Sequence, residues 1–93
     1  GGHAQEAALL ASCYRACFRL AAERDLGSLA FPAISCGIYG YPATEAALIA
    51  LRETRHALAR QPGLREVTLV AYDRAMLEIF ERARQQLAAD GTF

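Results

Sequence analysis

SCGIYGYP, Ser35–Pro42, is the stretch on which the reading of this chain turns. It follows LAFPAI, Leu29–Ile34, an apolar run of β type. It precedes ATEAALIALRETRHALA, Ala43–Ala59, which has the spacing of a helix. A glycine-bearing loop at a strand-to-helix junction has two ordinary uses. It makes a tight turn, or its backbone amides cradle an anion.

Working outward, apolar residues recur at helical spacing from Ala4 to about Arg24, at Leu10, Cys13, Tyr14, Cys17, Leu20 and Ala21. Asp25 and Gly27 end this helix, with glycine suited to a left-handed stop. Leu29–Ile34 is nearly all apolar, as in a strand covered on both faces, although Pro32 removes one ladder donor. The second helix turns Ala47, Ala50, Leu51, Thr54 and Leu58 inward and stops at Pro62 and Gly63. VTLVAY, Val67–Tyr72, is a second strand, and Asp73 is placed to cap a last helix with the stripe Leu77, Phe80, Ala83 and Leu87. Strand, helix, strand makes a βαβ unit with two parallel strands, so the fold class is α/β. Two strands cannot cover three amphipathic helices, and no internal repeat supplies more. The expectation is part of a domain, with an incomplete sheet.

Composition narrows the function. Ninety-three residues allow one small domain. Acidic and basic residues balance at ten each, which argues against nucleic acid or an acidic membrane as partner. All ten basic residues are arginine, scattered through the helices without forming a block. No apolar run is long enough to span a membrane, and no secretion signal opens the sequence. Three cysteines, Cys13, Cys17 and Cys36, make no disulfide framework and fit a reducing cytoplasm.

The quoted loop lies beyond the carboxyl end of a strand and before a helix N-terminus, where ligands collect in open α/β sheets. Free amides and the helix dipole favour an anion there, and Gly37 and Gly40 let the backbone approach a phosphate closely. Tyr39 between them is a poor turn residue but a good wall for a ribose or base. Cys36 stands where phosphatases and rhodaneses hold a nucleophile. Phosphatase loops close with an arginine at the position that Pro42 occupies here, so Cys36 reads as a small loop residue. Cys13 and Cys17, one turn apart, lack further ligands for zinc and read as core residues. His56 is a surface histidine near a helix C-terminus, and Glu78 and Arg82 are spaced for an i,i+4 pair. Tyr72, at the same edge as the loop, either stacks on a base or packs under the last helix.

Taken in order, LLASCYRACFRLAAE, SLAFPAISCGIYGYP and VTLVAYD followed by a helix resemble the C-terminal half of a macrodomain, the ADP-ribose-binding module of bacterial type. The resemblance runs from about Glu6 to Arg84. It implies a single macrodomain's C-terminal half over residues 1–93, the α-β-α-β-α portion of a three-layer fold. It also implies that Ser35, Cys36, Gly37, Ile38, Tyr39 and Gly40 surround the diphosphate of ADP-ribose, with Tyr39 toward the distal ribose. Tyr72 matches an aromatic near the adenine in some relatives. Cys36 departs mildly from the small residue or threonine usual there, which leaves backbone binding intact. No cofactor and no metal is implied.

A complete macrodomain is roughly twice as long, with a mixed sheet and helices on both faces. Its first half carries an adenine-contacting aspartate, an asparagine beside the distal ribose, a glycine-rich loop and the catalytic candidates of the hydrolytic members. None of these motifs occurs here. The leading expectation is therefore a portion of a domain that binds ADP-ribose and hydrolyses O-acetyl-ADP-ribose or ADP-ribosyl esters on proteins. A non-catalytic reader of ADP-ribose marks is the second. The third is a small interaction domain that completes its sheet by forming a homodimer.

Overall fold

The computed structural model describes residues 3–32, 42–71 and 73–91. Five elements follow in order: α1 (His3–Glu23), β1 (Ser28–Pro32), α2 (Ala43–Arg60), β2 (Glu66–Val70) and α3 (Arg74–Ala89). β1 and β2 pair in parallel, from Ser28 opposite Glu66 to Pro32 opposite Val70. The α/β class and the βαβ order are as the sequence indicates.

α1 ends in a Schellman turn. The Leu26 amide donates to the Ala21 carbonyl at 2.9 Å and the Asp25 amide to Ala22 at 3.2 Å, while Asp25 takes the left-handed conformation at φ 55°. The left-handed stop is thus Asp25, one of the few side chains that tolerates that region, and not Gly27. Gly27 instead opens the ladder, its carbonyl accepting from the amides of Arg65 (2.8 Å) and Glu66 (3.2 Å). At the other end of the chain Asp73 caps α3 as expected. Its Oδ1 accepts from the Met76 amide at 2.8 Å.

The core lies on one side of the two strands. Leu10, Tyr14 and Phe18 of α1 meet Phe31 of β1, and Ala46, Ala50 and Ala57 of α2 bring that helix close. The Phe31 ring takes the Tyr14 and Phe18 rings edge-on, each with centroids 5.4 Å apart. Leu29, Val67 and Leu69 add their partly buried side chains to this face. α3 packs on α2 and buries Met76, Ala83 and Leu87.

The other sheet face is open. Ser28, Ala30, Pro32, Glu66, Thr68 and Val70 are all exposed. The strands therefore have the composition of doubly covered ones but are packed on one face only, because all three helices contribute to one core. The sheet is incomplete, as its pairing of only two strands among the described residues also shows.

Several assignments to the core are corrected. Cys13 is exposed, and Cys17 is partly buried against the core. Leu20 and Leu77 are each half exposed, at 51%, and Leu58 is exposed at 36%. The buried stripes sit slightly to one side of those read from spacing. On α2 they include Glu53 and Ala57, and on α3 Met76 takes the place expected for Leu77. The exposed ion pair of α3 joins Arg84 to Glu81 at 3.2 Å, three residues apart, rather than Glu78 to Arg82.

Candidate functional site

Parallel pairing sends both strands out of the sheet at one edge. β1 leaves at Pro32 and β2, opposite it, at Val70. α2 begins at Ala43 and α3 at Arg74, each following its strand. The edge is therefore framed by two strand ends and two helix N-termini. This is the position where an anion gains most from unsatisfied amides and from the helix dipole.

The two helix starts differ. α3 is closed by its own carboxylate, through Asp73 to the Met76 amide. At α2 the N-cap residue is Pro42, with extended backbone (φ −62°, ψ 126°) and no side-chain cap. Proline has no side-chain acceptor, so nothing from the cap residue itself competes for the first amides of α2. Glu45 in the first turn is exposed and complements the dipole. α2 is the helix that the SCGIYGYP stretch enters.

Ser35, Cys36, Gly37, Ile38, Tyr39 and Gly40 lie outside the described residues, as does Tyr72. What is described is their framework. Phe31 anchors the end of β1 in the core, one residue before Pro32, and the half-buried Ala71 continues from β2.

Elsewhere, the exposed His56 matches its reading as a surface residue. Among the described residues no group of three or more His, Cys, Asp or Glu could hold a metal ion, and no helix is long and apolar enough to cross a membrane. One charged pair was not read from the sequence. Arg15 of α1 grips the carboxylate of Glu53 on α2, Nε to Oε1 at 3.0 Å and Nη2 to Oε2 at 3.1 Å. The hydrogen bond and the attraction of that carboxylate hold the Arg15 guanidinium above its ordinary pKa, so it stays charged. Glu53 is buried, and its two oxygens are both answered.

Two parallel strands, each followed by a helix, define an α/β domain in general terms. The comparisons make it particular. The Macro domain family model matches residues 1–50, which take in α1, β1, the SCGIYGYP stretch and the first turns of α2, and the chain belongs to that family. A macro domain-containing protein of Chlorobaculum tepidum is 43% identical over 83 residues, 89% of this chain and 48% of that protein. An O-acetyl-ADP-ribose deacetylase of Enterobacter cloacae is 42% identical over 86 residues, 92% of this chain and 48% of that protein. Among solved structures, a mutant macrodomain of Oceanobacillus iheyensis with ADPR superposes with a TM-score of 0.81 at 35% identity, covering 89% of this chain and 44% of that one. The chain spans about half the length of the curated relatives it matches.

Proposed function

We propose that residues 1–93 are the C-terminal half of a single macrodomain and that Ser35, Cys36, Gly37, Ile38, Tyr39 and Gly40 form the diphosphate side of its ADP-ribose site. The observation that carries this reading is the entry into α2. A glycine-bearing loop of the family's type feeds a helix whose cap residue, Pro42, offers no side chain to the first amides. Loop amides and helix amides then converge on one anion at the carboxyl edge of the sheet. Tyr39 stands toward the distal ribose, and Tyr72, directly after Ala71, is the aromatic toward the adenine.

In the complete domain the reaction is hydrolysis of an ester on ADP-ribose. Water adds to the acyl carbon, the bond from that carbon to the ribose oxygen breaks, and the carboxylic acid and ADP-ribose leave. The name of the Enterobacter cloacae relative, O-acetyl-ADP-ribose deacetylase, supports this class of chemistry. The residues here hold the diphosphate, while positioning of the water falls to the other half. Reading ADP-ribose marks without hydrolysis is the alternative that the same cradle serves.

The test is calorimetric titration of ADP-ribose into the 93-residue chain, alone and mixed with a polypeptide carrying the first half of a relative's domain, with AMP as control. Saturable binding of ADP-ribose stronger than AMP supports the cradle. No binding in either arm rejects it. Turnover of O-acetyl-ADP-ribose by the mixture separates hydrolase from reader.

A further inference from the structure

The ten arginines are spread along the sequence, but the fold gathers three of them. α1 and α2 enclose an open groove of about 290 Å³ along their C-terminal halves, floored by Phe18 and Ala57. Its rim carries Arg15 and Arg19 from α1, and His56 and Arg60 from α2. Arg15 and Arg19 are one turn apart, as are His56 and Arg60, so each helix turns two nitrogen-bearing side chains to the same groove. The one acid lining it, Glu53, is already held by two of Arg15's N–H groups, on Nε and Nη2, which leaves the guanidinium further N–H donors. Arg19, His56 and Arg60 have no ion-pair partner among the described residues. Three arginines against one carboxylate leave two net positive charges here with His56 neutral, on a chain whose total is zero.

Such a concentration on a neutral chain costs mutual repulsion unless something answers it. The donors suit an oxyanion: guanidinium forks bind phosphate oxygens in pairs, and the apolar floor lowers the local dielectric around them. The volume suits a small group rather than a polymer. We propose that this groove is a second anion site, taking a small multivalent phosphate, free or borne on a nucleotide. It is separate from the loop cradle, because Glu53, the groove residue nearest the start of α2, stands about 15 Å along the helix from Ala43 at 1.5 Å per residue. It stands or falls independently of the ADP-ribose reading. Arg15 serves two roles in it. Its bond to Glu53 ties the helices together and fixes the guanidinium at the rim as a pre-organised donor.

Pyrophosphate and, separately, ADP are titrated into isotope-labelled 93-residue chain at roughly 150 mM chloride, where long-range attraction is screened. The expected result is saturable shifts in the amides of residues 15–22 and 53–61 and in the Nε–H signals of Arg19 and Arg60. Arg19→Gln and Arg60→Gln should each weaken binding about tenfold, the loss of a charge-assisted pair. Both positions are exposed, so the remaining amide spectrum should stay unchanged. Response to pyrophosphate identifies the free source, and response to ADP alone the nucleotide-borne one. Shifts confined to residues 35–46, no saturation with either anion, or unaltered affinity in both variants would overturn the proposal.

Discussion

Tyr14 meets Phe31 edge-on, ring centroids 5.4 Å apart and planes inclined by 64°. This contact joins the first helix to the strand that delivers the SCGIYGYP loop. Both rings are buried, and Phe18 repeats the geometry from the next turn of α1. The strand end is thereby fixed a few residues before the loop begins.

Phe31→Ala should cost about 3–5 kcal/mol, the usual range for emptying a buried aromatic site. Urea denaturation of the two proteins measures it. Affinity for ADP-ribose should fall as well, because the loop's N-terminal anchor loosens. A loss below about 1 kcal/mol would mean that the site collapses around the missing ring.

Removing Asp73 tests the last helix separately. Asp73→Ala deletes the 2.8 Å bond to the Met76 amide and should lower stability by about 1 kcal/mol, the usual effect of losing an N-cap. Asp73→Asn or Asp73→Ser should recover most of it, since both side chains accept at that position. Equal losses in all three variants would show that charge, and not the capping geometry, is what α3 requires.

The grip of Arg15 on Glu53 predicts an asymmetry. Arg15→Leu strands a buried carboxylate and should lower the melting temperature more than the double replacement Arg15→Leu with Glu53→Leu, which removes the charge as well. A thermodynamic cycle by thermal denaturation reads this directly. Additive losses would mean that the two side chains do not depend on one another.

Within the loop the two readings of Cys36 separate cleanly. Gly37→Val should abolish ADP-ribose binding, because a branched side chain blocks the approach of backbone to phosphate. Cys36→Ser should leave affinity within about twofold, since the proposed cradle uses the amide and not the thiol. Loss of turnover with binding intact in Cys36→Ser, assayed with the complementary half present, would restore the thiol as a nucleophile.

The frame of this protein is legible in its sequence where a signal is local. Leu29–Ile34 and Val67–Tyr72 read as strands from apolar runs, and the structure has strands at Ser28–Pro32 and Glu66–Val70; Asp73 reads as a cap from its place between a strand and a helical stripe. Partners distant in sequence are not legible. Nothing in the spacing singles out Glu53, because its partner Arg15 lies 38 residues away. Arg19 and Arg60 look scattered until two helices pack. Leu58 and Leu77 mislead for a related reason. Spacing fixes the period of a stripe, while neighbouring helices fix its rotation, so Ala57 and Met76 are buried in their place. The open face of Ala30, Thr68 and Val70 shows the same limit, because an apolar strand does not reveal which of its faces has been covered.

The central claim is that the loop from Ser35 to Gly40 is a diphosphate cradle opening onto the N-terminus of α2. Amide-resolved titration of the isotope-labelled chain with ADP-ribose tests it most directly, with the first half of a relative's domain supplied. The account predicts saturable shifts concentrated at residues 35–40 and at the first turn of α2, residues 43–46, much larger than those AMP produces. Saturable binding that leaves those amides unmoved, or no binding at all, would contradict it.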